Sequence, residues 1–183
     1  GVLLGHRRKM LRAIADLDPA ALIASPAPPH DAERRHLTVM FCDLVGSTLL
    51  SARLDPEDMW EVIRAYRAAC ARVISAYDGS IARFVGDGIL VYFGYPRAHE
   101  DDAERAVRAG LDAISAMRQL KKSGDERVEL RIAIATGLVV VGDLISGDAS
   151  EESATVGDTP NLAARLQSLA EPGAVVVASS TRR

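Results

Sequence analysis

The sequence predicts an α+β fold, a ferredoxin-like βαββαβ antiparallel sheet with helices on one face, followed by a further αβ unit. Three observations predict it. Short runs rich in β-branched residues alternate with two long segments whose apolar residues recur every three or four positions. A Gly-Asp-Gly turn joins two adjacent strand-like runs, as in a hairpin. A helix that starts near a proline and a last apolar run close the pattern.

The composition is that of an ordinary globular domain. The 183 residues are 48% hydrophobic and 26% charged, with a formal net charge of −3. A negative balance argues against a broad surface for nucleic acid or anionic lipid. No apolar run has the length of a membrane span and no signal-peptide pattern opens the chain, so we expect a cytoplasmic protein. Cys42 and Cys70 lie in apolar stretches without disulfide or zinc spacing, which is typical of buried thiols.

The first 34 residues differ in character from the rest. Residues 1–17 predict a short basic helix, the tail of a domain further upstream. Residues 18–34 are rich in proline, which is typical of a semi-extended linker. We therefore expect one globular domain over residues 35–183.

The globular part opens with a strand, a turn and a long helix. Residues 36–42 are β-rich and apolar, which predicts a strand buried on both faces and ending at Asp43. The turn 46–48 opens a short helix, and Asp55-Pro56 begins a helix that reaches Tyr77. The apolar stripe of this helix is expected to face the core and consists of Met59, Ile63, Tyr66, Cys70, Val73 and Tyr77.

Two strands, a helix, a strand, a helix and a strand follow in that order. The predicted ranges are strands 80–85 and 89–93, helix 99–121, strand 128–141, helix 159–170 and strand 174–178. Each helix is expected to turn an apolar stripe towards the sheet. These stripes are Val107, Leu111 and Ile114 in the first helix, and Leu162, Leu166 and Leu169 in the second.

Two aspartates are the first candidates for chemistry. Asp43 ends the first strand and Asp87 lies at the tip of the hairpin. In a βαββαβ sheet the first strand lies beside the hairpin strand that ends in its turn, which brings both carboxylates to one sheet edge. Two such anions repel each other unless a divalent cation bridges them, so the pair predicts two-metal phosphoryl chemistry. Each aspartate alone also has a structural interpretation, because Asp-Gly favours type I′ turns and Asp43 can simply terminate its strand.

Two further features fit phosphate chemistry. Next to Asp43, the chain turns from strand into helix and exposes backbone N–H groups, which predicts a triphosphate cradle formed by Leu44, Val45, Gly46, Ser47 and Thr48. On the later helix, Asn161, Arg165 and Ser168 share one polar face, and an arginine there can stabilise charge on a pentacovalent phosphorus. The alternative for this helix is a solvated face with a surface arginine.

Four stretches with distinctive residues occur in order over residues 36–178: HLTVMFCDLVGST, ARFVGDGILVYFG, LRIAIATG and VGDTPNLAARL. Together they closely resemble the catalytic domain of class III adenylate and guanylate cyclases. The resemblance implies the class III cyclase fold, ATP as substrate, two Mg²⁺ or Mn²⁺ ions per site, and a homodimer whose active sites are shared between subunits. It also implies attack of the ribose 3′-oxygen on the α-phosphorus, which forms 3′,5′-cyclic AMP and expels pyrophosphate.

The same resemblance assigns roles to residues around the phosphates. Asp43 and Asp87 correspond to the metal-binding aspartates, with the carbonyl of Leu44 as a further ligand. Backbone groups of residues 44–48 hold the triphosphate. Arg131 matches an arginine that contacts phosphate in this family.

The resemblance extends to the ribose and the base, where this chain departs from the family pattern. Asn161 and Arg165 correspond to the pair that orients the ribose and stabilises the transition state. Adenylate cyclases carry a lysine where this chain has Arg83, and an aspartate or threonine where it has Ala154, with Thr155 next to it. Guanylate cyclases carry glutamate and cysteine there, and this chain has neither, so we expect ATP to be preferred.

Other functions stay open at this point. A non-catalytic, nucleotide-binding or regulatory domain of the same fold is favoured by Arg83 and Ala154. Guanylate cyclase activity and a nucleotidyltransferase that passes the α-phosphate to an acceptor are further alternatives. The N-terminal helix also resembles the closing helix of a SAM domain, which implies an upstream regulatory domain, and the family's domain is expected to continue past Arg183.

Overall fold

A computed structural model describes residues 33–119, 128–141 and 157–182. The elements are β1 (Glu33–Leu44), α1 (Ser47–Ser51), α2 (Pro56–Ala76), β2 (Ser80–Val85), β3 (Gly88–Phe93), α3 (Asp102–Gln119), β4 (Leu130–Val141), α4 (Asp158–Leu169), β5 (Ala174–Val177) and a closing 3₁₀ turn (Ser179–Arg182). The predicted N-terminal helix lies outside the described residues, and Glu33 and Arg34, expected in the linker, already belong to β1. None of the described helices has the length and apolar character needed to cross a membrane.

The five strands form one sheet in the order β2-β3-β1-β4-β5. The pairs β2–β3, β3–β1 and β1–β4 are antiparallel, which confirms the ferredoxin-like arrangement. The further αβ unit adds β5 parallel to β4. One detail of the prediction is wrong, because the neighbour of β1 is β3, which begins at the hairpin turn, and not β2, which ends in it. Cys42 pairs with Ile89, so the end of β1 still meets the turn.

The helices α2 and α3 both cover one face of the sheet. Met40 and Cys42 of β1 and Ile132 of β4 pack against them in the larger hydrophobic core. The inward stripe predicted for α3 is wrong at Leu111, which is 56% exposed. The buried stripe instead consists of Ala106, Ala109, Gly110, Ala113, Ile114 and Met117. Small residues let this helix lie close to the sheet, and a Cβ at Gly110 would already be 3.4 Å from Ile132.

The helix of the further αβ unit, α4, packs on the opposite face. Its Ala163 and Leu166 contact a second core that contains Val39 of β1 and Ala135 of β4. The leucine stripe predicted for this helix is therefore wrong at two of its three positions, Leu162 and Leu169, which are 40% and 75% exposed. The buried residues of α4 are Thr159, Pro160 and Ala163. A Cβ at Gly137 of β4 would be 2.6 Å from the hydroxyl of Thr159, so the helix begins too close to the strand for larger side chains.

The β2–β3 hairpin has a two-residue loop, Gly86 and Asp87, closed by the pair Val85 and Gly88. Gly86 has a φ of 59°, whereas Asp87 and Gly88 have no positive φ. This sign pattern is that of a type II′ turn, which takes glycine at its first position. The type I′ interpretation of Asp87-Gly88 is therefore wrong. The turn geometry is supplied by Gly86, and Asp87 is not needed for it.

Candidate active site

Asp43 lies near the end of β1, on the sheet face that carries α4. Its register partner across the sheet is Arg131 of β4. Nη2 of Arg131 donates to Oδ2 of Asp43 at 2.6 Å, and Nε2 of Gln167 on α4 donates to the same oxygen at 2.7 Å. The side chains of Asp43 and Arg131 are 22% and 31% exposed. The carboxylate is thus fixed by two elements and still reaches solvent.

Asp87 is held at the same edge by the hairpin turn. A Cβ at Gly88 would be 3.5 Å from the carbonyl oxygen of Cys42, so the turn lies against the end of β1. Arg67 of α2 supports the turn, because its Nη2 donates to the carbonyl of Gly86 at 2.6 Å. The same guanidinium lies 4.4 Å from the ring centroid of Phe84, a cation–π contact. These contacts hold the Asp87 turn against the end of β1, near Asp43, as the sequence predicted.

Three titratable groups lie in the core beneath this edge. Burial, and then the charges of Cys42, Cys70 and both aspartates, raise the pKa of Tyr66 far above its usual range. Burial raises the pKa of Cys42 well above that of an ordinary thiol, and it raises the pKa of Cys70 to about 12. All three therefore stay neutral at pH 7 and add no negative charge to this edge.

The donor set at this edge fits Mg²⁺ or Mn²⁺. Carboxylate and carbonyl oxygens are the ligands these hard cations prefer, and Mg²⁺ commonly binds through one or two carboxylates plus phosphate oxygens and water. A carboxylate offers about four acceptor positions, so the two donors on Oδ2 of Asp43 do not exhaust it. Leu44 has a buried side chain and can contribute only its backbone carbonyl. Within the described ranges no cluster of three or more His, Cys, Asp or Glu side chains is present.

The predicted triphosphate cradle offers fewer backbone N–H groups than the sequence suggested. The N–H of Val45 donates to the carbonyl of Glu129 at 2.8 Å and is not available to an anion. Gly46 is the N-cap of α1 with a φ of 73°, and a Cβ there would meet nothing within 4 Å. The first N–H groups of a helix have no acceptor within it, so those of Ser47 and Thr48 are the remaining candidates for binding an anion.

Arg83 reaches the same face of the sheet because of a β-bulge. The register of β2 shifts between Ile81 and Arg83, which leaves Ala82 as the extra residue. Without the bulge, alternation would place Arg83 on the same face as Ile81, which packs on the α2–α3 core. With it, Arg83 is opposite Leu90, which belongs to the α4-side core. Arg83 thus lies two strands from β1, about 10 Å from it at the usual strand spacing.

The other predicted base-reading positions, Ala154 and Thr155, lie outside the described residues.

Asn161 and Arg165 lie on the outer surface of α4. Both side chains are exposed, and so is Ser168, whose hydroxyl donates to the carbonyl of Arg165 at 2.7 Å. Gln167, which contacts Asp43, follows Arg165 by two residues, a rotation of about 200° around a helix. The Asn161–Arg165 face is therefore turned away from the Asp43 carboxylate of its own chain. The structure brings Asp43, Arg83 and Arg131 to the α4 side of the sheet and the Asp87 turn to the end of β1, and it leaves the Asn/Arg pair apart from them.

Two residues at this site, Gln167 and Arg67, were missed by the sequence analysis. Gln167 meets Asp43 across 124 residues of sequence, a contact that depends on how α4 crosses β1. Gln167 lies outside the predicted leucine stripe, and no local pattern in the sequence indicates this contact. Arg67 lies 19 residues before its acceptor, Gly86, and sits beside Tyr66 in the predicted core stripe of α2.

Comparison with known proteins assigns this arrangement to a family. The adenylate cyclase of Streptomyces coelicolor (strain ATCC BAA-471 / A3(2) / M145) is 34% identical over 146 residues, covering 78% of this chain and 32% of that protein. The chain therefore spans about a third of the length of this relative.

Solved structures and a family model point the same way. The guanylyl cyclase Cya2 has a TM-score of 0.73 at 37% identity, covering 82% of this chain and 78% of that chain. The adenylyl cyclase CyaB from P. aeruginosa has a TM-score of 0.72 at 30% identity, covering 82% and 80%. A family model described as the adenylate and guanylate cyclase catalytic domain matches residues 30–183. The chain belongs to the adenylate and guanylate cyclase catalytic domain family.

Proposed function

We propose that this domain is an adenylate cyclase that forms 3′,5′-cyclic AMP and pyrophosphate from ATP, as a signalling enzyme. The observation that carries the proposal is the meeting of Asp43 and the Asp87 turn at one sheet edge, beside an open helix start at Gly46. Among the described residues, Arg131 and Gln167 both bind Oδ2 of Asp43, so Oδ1 can accept a cation. Here Asp43 keeps acceptor positions and Asp87 is not required by its turn.

Different residues of the site bind the metal ions and the triphosphate. Two divalent cations held by Asp43 and Asp87, with the Leu44 carbonyl, would supply Lewis acidity at the 3′-hydroxyl and the triphosphate. The N–H groups of Ser47 and Thr48 bind phosphate oxygens. Arg131 turns away from Asp43, and its guanidinium then donates charge-assisted hydrogen bonds to the triphosphate. The 3′-oxygen forms its bond to the α-phosphorus, the bond from that phosphorus to the bridging oxygen breaks, and pyrophosphate leaves while the hydroxyl proton passes to solvent.

The remaining two catalytic residues come from a second subunit in this proposal. Asn161 and Arg165 are exposed on a face of α4 that is turned away from Asp43 of the same chain. In a homodimer, Asn161 of the partner subunit orients the ribose and Arg165 of the partner subunit stabilises charge on the pentacovalent phosphorus. Each homodimer then has two sites, and each site uses both chains.

The preference for ATP rests on the base-reading position. Arg83 presents N–H donors on the site face, and a donor suits the N1 acceptor of adenine. The relative from Streptomyces coelicolor is named an adenylate cyclase. Guanylate cyclase activity is the second candidate, because the O6 of guanine also accepts from an arginine and Cya2, at 37% identity, is a guanylyl cyclase. We therefore expect a modest preference for ATP.

One assay tests the proposal and its alternatives. The purified domain is incubated with Mn²⁺ and either ATP or GTP, and the products are separated by chromatography and identified by mass. Cyclic AMP with an equal amount of pyrophosphate is the expected result. Cyclic GMP in excess identifies a guanylate cyclase, a linear nucleotidyl adduct identifies a transferase, and bound but unchanged nucleotide identifies a regulatory domain.

A further inference from the structure

In the hydrogen bond between Gln167 and Asp43, Gln167 is the donor and Asp43 is the acceptor. An ionised aspartate only accepts hydrogen bonds, so the amide NH₂ of Gln167 must be the group that faces it, at 2.7 Å. Gln167 is half-buried on α4, which packs on the sheet through Ala163 and Leu166. The donor therefore comes from a helix that is itself fixed on β1 and β4.

The second donor to the same oxygen, Arg131, has a different electrostatic effect. Its guanidinium is charged and offsets the negative charge of Asp43. A cation bound at Asp43 is repelled by this arginine but not by a neutral amide. Gln167 can therefore hold the carboxylate in place without weakening its attraction for a cation, and it can stay in contact after Arg131 has moved to a phosphate.

We propose that Gln167 is a positioning residue that orients the Asp43 carboxylate for metal binding. The inference rests on the proposed function, because it requires that Asp43 binds a cation. Outer-shell partners of metal ligands typically change metal affinity or activity by about 10- to 100-fold when they are removed. Gln167 is thus expected to affect the metal requirement of the enzyme more than its affinity for the nucleotide.

The first test measures metal binding without catalysis. Gln167→Met keeps the length of the side chain and removes the donor, and Gln119→Met makes the same change at an exposed position of α3. Mn²⁺ is titrated into each protein with 3′-deoxy-ATP, which lacks the attacking hydroxyl, and the signal of unbound Mn²⁺ is followed by electron paramagnetic resonance. The dissociation constant for Mn²⁺ should rise about tenfold in Gln167→Met and stay unchanged in Gln119→Met. If the methionine variant does not fold, Gln167→Ala takes its place.

The second test separates an effect on Asp43 from a general disturbance of α4. Asp43→Asn and Arg165→Ala subunits are mixed, so that the intact site takes its metal ligands from the Arg165→Ala chain and its arginine from the Asp43→Asn chain. Gln167→Met is then placed on one chain at a time. It should raise the Mn²⁺ concentration required for activity only on the Arg165→Ala chain, whose Asp43 is in use.

The outcomes distinguish this inference from the proposed function. A wild-type protein that binds no Mn²⁺ and forms no cyclic nucleotide contradicts both. Wild-type binding with an unchanged Mn²⁺ affinity in Gln167→Met overturns the role of Gln167 alone. An effect seen only when Gln167→Met is on the Asp43→Asn chain also overturns it, because α4 would then act through Arg165.

Discussion

Arg131 and Asp43 are joined twice, as register partners across β1 and β4 and through a charge-assisted hydrogen bond of 2.6 Å. The backbone pairing of two twelve-residue strands thus determines where the carboxylate lies. A site built on paired strands is held more precisely than one built on loops. The guanidinium also compensates the aspartate's charge while no cation is bound, which reduces the cost of keeping a half-buried anion.

Replacing either of the aspartates proposed to bind metal, Asp43 or Asp87, by asparagine should abolish cyclisation without unfolding the domain. Asp43→Asn and Asp87→Asn each remove a negative charge from a site that must neutralise a triphosphate, so we expect activity to fall at least about a hundredfold. Product formation with Mn²⁺ and the thermal unfolding midpoint are measured together. Asp55→Asn is the control, because this N-cap has no side-chain capping bond and asparagine is an equally good N-cap. Full activity in either metal-site variant would contradict the assignment.

Mixing two inactive variants should restore activity if the sites are shared between subunits. Asp43→Asn inactivates both sites of its homodimer, and so does Arg165→Ala. In a heterodimer both lesions fall in one site and the other site is intact. Random pairing of equal amounts should therefore recover up to roughly a quarter of the wild-type rate. The rate is followed after mixing, with subunit exchange verified by differently tagged chains. An inactive mixture in which exchange has occurred rules out the shared site.

The charge at position 83 should set the base preference. Arg83→Lys keeps a donor and should retain the preference for ATP. Arg83→Glu presents acceptors, which suit the N1–H and N2–H groups of guanine and repel N1 of adenine, so we expect the ratio of kcat/KM for GTP over ATP to rise at least about tenfold. The two ratios are measured with Mn²⁺. Arg72→Glu, the same charge change at an exposed position of α2, should leave the ratio unchanged, and an unchanged ratio in Arg83→Glu would show that Arg83 does not contact the base.

The buried thiol of Cys70 should make the fold sensitive to alkali. Burial raises its pKa from 9.0 to about 12. Above about pH 9 the unfolded chain loses this proton and the folded chain keeps it, so the free energy of unfolding falls as the pH rises towards 12. At 1.36 kcal/mol per unit the full effect is roughly 4 kcal/mol. Urea unfolding between about pH 8 and 11 should show a shallower decline in Cys70→Ala than in the wild type. Equal slopes would show that Cys70 does not cause the decline.

The parts of the site that the sequence could predict depend on local patterns. Asp43 follows an uninterrupted apolar run, and Asp87 lies in a two-residue hairpin loop, so the place of each aspartate at the end of a strand can be predicted from the sequence. The βαββαβ order then places both at one edge. The contact of Gln167 with Asp43 could not be predicted in this way, because it depends on the crossing of α4 over β1, which no local pattern encodes.

The buried face of α4 shows why hydrophobicity alone was misleading. The leucines give the stronger apolar stripe, yet Thr159 and Ala163 face the sheet. The close approach between Thr159 and Gly137 leaves no room for a leucine at that end of the helix. The short distance between α4 and β4 thus favours small side chains over large apolar ones at this interface, and Leu162 and Leu169 lie on the outside.

The β-bulge at Ala82 has a consequence for the evolution of this enzyme. The extra residue shifts the alternation of side chains along β2 by one position. The side chain at position 83 therefore lies on the α4 side of the sheet, while Ile81 stays packed in the core beneath α2 and α3. If Arg83 contacts the base, as proposed, a point substitution at position 83 would alter the base preference without a compensating change in that core. Selection could then adjust the nucleotide that is used at a single codon, and the fold would not have to change with it.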